Sequence, residues 1–436
     1  MSWHYAFSGF AKRLTFGRDL RSVIRRGLTL AYKCKTLLIT MLLWVVYGVS
    51  GLIPRDHNLW VFGAARDAFV DNTKYLFIHV SRTRPNLRAI WISGSAETVQ
   101  LIRELGFEAH VRHSIKGWWY CFRAQYYFTM MYITDINHFA SRRAVFVNLW
   151  HGTPLKKIEH DIQFGPMAPL YNSPSWRTRF IWAPGPHKIP NFVLSASEFV
   201  SRYALISAFK VPLERCLAFG YPRNDILFSD RDAVLSWLSD LRQESLAREL
   251  RDLTETFRVV LFLPTWRESG DNAESKRTIP WAKLNEVMKE NNCVLLAKPH
   301  PAVAARRSGL PRTDEYSNIR IWSPAVDIYP IMAVAEVLIT DYSSVIFDFC
   351  LTRRPIIVAA FENDRYSETD RELYMPVEDI MIGEVVKSPK ELIVRLTDIL
   401  VSRESSNYEE KSVKRFNDFL AAGAAKRVAD FFEQSA

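Results

Sequence analysis

Cysteine is scarce and scattered in this sequence. The five thiols, Cys34, Cys121, Cys216, Cys293 and Cys350, are odd in number, far apart and form no Cys-x-x-Cys pair. That argues against a disulfide framework or a zinc site, and reduced thiols fit a cytoplasmic protein. Acid is in deficit: 47 Asp and Glu stand against 57 Lys and Arg, a formal net charge of +10. The excess favours anionic partners, whether nucleic acid, acidic headgroups or phosphorylated molecules, without choosing among them. There is no low-complexity tract or short-period repeat, and no Asp-x-Asp pair is suitably placed to hold a metal–nucleotide complex. What is present is a 48% hydrophobic chain of 436 residues. That suits about two packed domains and argues against wholesale disorder.

The beginning of the chain is basic. Lys12, Arg13, Arg18, Arg21, Arg25, Arg26, Lys33 and Lys35 face a single acid, Asp19. An uncharged run follows from Thr36 to Pro54, about the length needed to cross a bilayer. As a spanning helix it places everything after Arg55 outside the cell. As an in-plane anchor it keeps both ends on the cytoplasmic face, and a basic arm beside an apolar segment supplies the two signals that peripheral binding needs. Gly48, Gly51 and Pro54 weaken a straight span. A buried helix of the soluble fold is the plain alternative. The expectation is a membrane-associating segment over residues 1–57.

The rest alternates strands and helices. LWVFGA (59–64), RAIWISG (88–94), AVFVNLWHG (144–152), FVLSASEF (192–199) and CLAFGYPRND (216–225) read as strands or strand ends. A charged helical stretch over 226–257 precedes a second series: RVVLFLPTWRE (258–268), NCVLLAKPHP (292–301), NIRIWS (318–323), EVLITDYSSV (336–345) and RPIIVAAF (354–361). Continuous apolar runs between helices indicate parallel sheets covered on both faces. The expected fold is α/β: two Rossmann-like domains, 58–225 and 226–436, facing across a cleft in the GT-B manner.

In such sheets ligands sit beyond the carboxyl ends of the strands, and four polar motifs stand there. In LWHGTPLKK (149–157), His151 is a natural general base, Gly152 permits close backbone approach, Thr153 offers a hydroxyl, and Lys156 and Lys157 offer charge. In FLPTWRE (262–268), Thr265 and Arg267 follow a strand, and Arg suits bidentate phosphate contact. In LAKPHP (296–301), Lys298 and His300 suit a pyrophosphate or a leaving phosphate better than a metal, for want of companion ligands. In LITDYSSVIFDF (338–349), Asp341 to Ser344 form a polar helix start, Ser343 and Ser344 can donate to phosphate, and Asp348 lies one turn on. Taken singly, each has a bland reading: a strand-end His, a surface Arg, an ordinary Ser cap.

Together, WHGTPLK (150–156), GYPRND (220–225), PTWR (264–267), KPHP (298–301) and TDYSSVIFD (340–348) resemble the CDP-glycerol glycerophosphotransferases, a family that includes teichoic-acid primases, teichoic-acid polymerases and capsule polymerases. YSETDRELYMP (366–376) resembles a further segment of that family. The resemblance implies a transferase that moves glycerol phosphate or ribitol phosphate from a CDP-linked donor to a hydroxyl of a lipid-linked or growing polymer, releasing CMP. It implies His151 as the base on the acceptor, His300 near the donor pyrophosphate, and Arg223, Thr265, Ser343, Ser344 and Asp348 around CDP. It also implies no cofactor and no metal, and attachment at the cytoplasmic face of the membrane on an anionic surface. Family polymerases often carry long additional N-terminal domains, where this chain has the short basic-apolar segment.

Two rivals stand beside that reading. One is a GT-B glycosyltransferase that uses a nucleotide sugar, which fold alone does not exclude. The other is a basic membrane-surface binding protein for lipid or nucleic acid. Its aromatics, Trp118, Trp119, Tyr120, Tyr126 and Tyr127, read as core rather than as a stacking platform, so no nucleic-acid partner is expected.

Overall fold

A computed structural model describes residues 35–172, 174–264, 279–298, 315–361, 372–406 and 408–434. The first sheet has seven strands: β1 (Asp56–Gly63), β2 (Arg88–Ser93), β3 (Ala109–Val111), β4 (Ala124–Thr129), β5 (Val145–Asn148), β6 (Phe192–Ser195) and β7 (Cys216–Ala218). Their order is β3-β2-β1-β4-β5-β6-β7, and each described pairing is parallel. The second sheet has six: β8 (Arg258–Leu263), β9 (Cys293–Ala297), β10 (Ile319–Ile321), β11 (Val337–Thr340), β12 (Ile356–Ala359) and β13 (Glu384–Val386). It runs β10-β9-β8-β11-β12-β13, again parallel.

The unbroken apolar runs follow from burial on both faces. In β8, Val259 and Leu261 enter one core while Val260 and Phe262 enter another. In β1, Trp60 and Phe62 point one way and Leu59 and Val61 the other. A strand with no solvent face has no place for alternating polar residues. The short edge strands β3 and β13 went unread, because three residues give too little pattern to register.

The two units share one continuous apolar core, in which Trp150, Val193 and Ile226 join Leu261, Leu338 and Phe347. Polar ties cross the same seam. Lys74 pairs with Asp327 at 2.7 Å, and the Tyr75 hydroxyl donates to the same carboxylate at 3.1 Å. Burial alone raises the Asp327 carboxyl, but the Lys74 ammonium and hydrogen bonds from Lys74, Tyr329 N–H and Tyr75 bring it below its ordinary value. The helix Ala424–Gln434, late in the chain, returns to the first unit and buries Phe432 against Trp60, Tyr126 and Phe128. Its entry is fixed by Asp225, whose carboxylate accepts from the N–H groups of Gly423, Ala424 and Ala425 at 2.8, 2.8 and 2.9 Å.

Before β1, residues 35–50 form a helix on the first unit. Among the described residues, no helix is long and apolar enough to cross a membrane. Its Trp44 packs edge-on to His138 and Phe139 and donates to the Phe180 carbonyl at 2.7 Å. Tyr47 stacks on His138 at 5.4 Å. His138 is buried, and that burial, then nearby Lys188, pushes its imidazole down to about 3. An unfolded histidine takes up its proton near pH 6.5, whereas the folded one resists until far lower. Stability is therefore present above pH 6.5 and lost as pH falls from there toward 3, by about 2 kcal/mol at pH 5. Asp135, pushed up to about 6 by burial, acts with the opposite sign, so the comparison must isolate the histidine. Wild type is expected to lose about 2 kcal/mol relative to His138→Phe between pH 7.5 and pH 5 in urea melts. Parallel pH dependence of the two proteins would contradict this.

Candidate functional site

Beyond the carboxyl ends of β5, β8, β9 and β11 lies a cleft of about 440 Å³. One wall is His151, Gly152, Thr153 and Lys156 from the first unit, and the other is Lys298, Tyr342, Ser343 and Ser344 from the second. The two sheets reverse strand order at β1/β4 and at β8/β11, and this crevice is where such sheets take ligands.

His151 rides on a strained turn. Trp150 has φ +50°, in the left-handed region that a bulky residue rarely adopts. Its N–H donates to Asn148 Oδ1 at 2.9 Å and its carbonyl accepts from Asn72 Nδ2 at 2.9 Å. Its ring is buried against Phe209, with centroids 4.9 Å apart, and the His151 ring lies 4.1 Å from it. Such backbone strain persists only where the surroundings over-determine it, and it concentrates at functional sites.

Gly152 is needed here, but by a neighbouring side chain. Its φ is +123°, and a Cβ would lie 2.5 Å from Arg223 Nη2. Thr153 is buried at the cleft floor. Lys156 bridges in antiparallel fashion to Leu373, Lys157 N–H donates to the Glu372 carbonyl at 2.7 Å, and Tyr374 N–H donates to the Leu155 carbonyl at 3.2 Å. The described end of the 366–376 segment is thus stitched to the loop that follows His151.

Across the cleft, Lys298 N–H donates to the Phe262 carbonyl at 3.1 Å. Burial lowers the Lys298 ammonium, against a raising effect from Asp327. Thr340 donates to the Leu263 carbonyl at 2.6 Å, joining the ends of β11 and β8. The turn then runs through half-buried Asp341, whose carbonyl accepts the Ser343 N–H at 2.7 Å. Ser344 precedes the helix Val345–Phe349 without using its side chain as a cap.

Arg223 and Asp348, expected around CDP, pair with each other. Their side chains, 5% and 3% exposed, meet at 2.8 Å behind the cleft wall. Arg223 Nη1 also grips both Asp71 oxygens at 2.8 and 2.9 Å. Asp348 takes further hydrogen bonds from Asn224 and the Tyr329 hydroxyl, each at 2.9 Å. Arg223 and Asp348 are thus held by protein through most of their polar atoms, while Arg223 Nε is buried with no hydrogen-bond partner among the described residues. Thr265, Arg267 and His300 lie outside the described residues. Asp71, Asn72 and Lys74, which contact Arg223, the Trp150 carbonyl and Asp327, carry no signal in the sequence beyond that of an ordinary helix start. Among the described residues no cluster of metal-binding side chains occurs.

The sequence profile of the family CDP-Glycerol:Poly(glycerophosphate) glycerophosphotransferase matches residues 46–434. A teichoic acid poly(glycerol phosphate) polymerase of Staphylococcus epidermidis is 26% identical over 377 residues, which is 82% of this chain and 47% of that protein. The chain therefore spans about half of that relative. A second poly(glycerol phosphate) polymerase, from Bacillus spizizenii, is 24% identical over 404 residues, 88% of this chain and 94% of that one. A teichoic acid ribitol-phosphate polymerase and a teichoic acid ribitol-phosphate primase match as well. Among solved structures, the wall teichoic acid polymerase TagF superposes with a TM-score of 0.69 at 21% identity, covering 97% of this chain and 98% of the other. With the cleft between two parallel sheets and a family match over most of its length, the chain belongs to the CDP-glycerol:poly(glycerophosphate) glycerophosphotransferases, a family of transferases.

Proposed function

We infer that this protein transfers a polyol phosphate, from CDP-glycerol or CDP-ribitol, to a terminal hydroxyl of a teichoic-acid-type polymer and releases CMP. The observation that carries this reading is the opposition of His151 to Lys298, Ser343 and Ser344 across one cleft. The donor diphosphate sits against Ser343 and Ser344, with Lys298 compensating charge and Asp341 at the base of the turn. Thr153 and Lys156 border the acceptor side, and His151 takes the proton from the attacking hydroxyl. The oxygen attacks the β-phosphorus in line, and the phosphoanhydride bond to CMP breaks. Thr265, Arg267 and His300 join the donor side on the strength of the resemblance. Positioning and charge compensation supply most of the rate in such transfers. The test is incubation with CDP-glycerol, CDP-ribitol and UDP-sugars plus a glycerol-phosphate primer. CMP release with primer growth supports the reading, and release of a nucleoside diphosphate from a sugar donor supports the glycosyltransferase instead.

The same reading includes a membrane face. Leu38, Leu42, Val45, Val49 and Leu52 fall along one side of the 35–50 helix and its following turn and are exposed, Leu38 and Leu42 by 67% and 66%. Exposed Phe180, whose ring packs on Trp44, and exposed Trp176 stand on the 174–182 segment, with Arg177 over the Trp176 ring. An apolar stripe with aromatics and cations beside it suits in-plane binding to an anionic bilayer. Burying one leucine contributes about 1.5–3 kcal/mol, so Leu38→Glu/Leu42→Glu is expected to lower sedimentation with phosphatidylglycerol vesicles at least roughly tenfold. Turnover of a water-soluble primer is expected to persist. Unchanged sedimentation would place the membrane contact elsewhere.

A further inference from the structure

We propose that Asn72 is a positioning residue for the transfer: it holds the turn that presents His151 and ties that turn, through Arg223, to the serine turn on the opposite wall. The proposal rests on His151 acting as the base. Asn72 is fully buried at the start of the helix Asp71–Thr83. Its Nδ2 donates to the carbonyls of Leu149 and Trp150 at 3.3 and 2.9 Å, and its Oδ1 accepts the Arg223 backbone N–H at 3.3 Å.

These bonds act on both sides of His151. The Trp150 carbonyl belongs to the peptide that joins Trp150 to His151, so holding that oxygen sets the plane from which the imidazole departs. On the other side, Gly152 abuts the Arg223 guanidinium. That guanidinium also binds Asp71, the residue before Asn72, and Asp348. Asp348 stands on the short helix that starts after Ser344. A contiguous set of hydrogen bonds thus runs from the Trp150 carbonyl through Asn72, Arg223 and Asp348 to the helix that directly follows the donor-side serines.

The Trp150 conformation makes this connection matter. Without a donor on its carbonyl, a residue at φ +50° relaxes toward the ordinary regions, and the following side chain moves with it. A displacement of about 1 Å at a reacting group can cost roughly 10²-fold in rate. A residue that only stabilises the fold has no reason to act through His151. One that positions it does, and the two roles separate in a double-mutant cycle.

The experiment measures CMP release at saturating CDP-glycerol with a glycerol-phosphate primer, and CDP-glycerol affinity by calorimetry. It compares wild type, Asn72→Ala, His151→Ala and the double variant. Asn72→Ala is expected to lower kcat roughly 10²-fold and leave the donor Kd within about twofold. In the His151→Ala background it is expected to change the residual rate less than about threefold. Asn72→Ser, which keeps a short hydroxyl, repeats the cycle with a smaller perturbation. Retained kcat, multiplicative losses in the double variant, or weakened donor binding at unchanged kcat each overturn the proposal. So does failure of both Asn72 variants to fold, which makes the residue structural. Near-normal turnover by His151→Ala instead removes the base assignment itself, an outcome that is read without any Asn72 variant.

Discussion

His151→Ala is expected to fold and to release CMP roughly 10²–10⁴-fold more slowly than wild type, the usual cost of removing a general base. The turn has supports besides the imidazole. Trp150 is held by Asn148, Asn72 and Phe209, and Gly152 by its fit against Arg223. Melting is therefore expected to stay close to wild type, since the changed side chain is only half-buried. Calorimetry with CDP-glycerol is expected to show near-normal affinity, because the proposed seat of the donor diphosphate is the other wall, at Lys298, Ser343 and Ser344. The loss then appears in kcat, as expected for an interaction made in the transition state. A variant with nearly normal turnover would reject His151 as the base while leaving the fold and the family untouched.

Arg223→Met is expected to reduce stability by roughly 3–5 kcal/mol, because it strands the buried Asp348 carboxylate and the half-buried one of Asp71. Asp71 and Asp348 both face that guanidinium, and Asp348 is only 3% exposed. For a unit of this size the loss corresponds to a fall in Tm of roughly 6–20 °C. Neutralising the stranded partners in Asp71→Asn/Asp348→Asn/Arg223→Met is expected to recover a substantial part of it, since an uncompensated buried charge costs more than an absent pair. The resemblance predicts something else, a contact from Arg223 to CDP. Unchanged melting together with weakened CDP-glycerol binding would favour that contact over the buried tie.

Much of the architecture was legible because burial on both faces leaves an unmistakable trace. RVVLFL and LWVFG have no polar alternation, since successive residues enter different cores. The polar residues that interrupt such runs mark strand ends, and so His151, Lys298 and Ser343 were found and do line one cleft. Arg223 and Asp348 show the limit of that method. A motif displays a cation or a carboxylate but not what faces it, and here each faces the other across 125 positions of sequence. Gly152 reads in sequence as room for a ligand, and the structure adds a second demand on it that the motif does not display, the Arg223 guanidinium where a Cβ would stand. The return of Ala424–Gln434 to the first sheet was equally invisible, because an amphipathic helix carries no label naming the surface it covers.

That return has a consequence for the order of folding during synthesis. Phe432 fills a space beneath Trp60 and Phe128, yet everything from β8 to β13 is translated in between. The earlier half leaves the ribosome with an aromatic seam open and must wait, partly assembled, while the later half is made. Its closing piece arrives from several hundred residues downstream. The core of the first half is therefore completed only after the second half has been made, so the two halves do not finish one after the other.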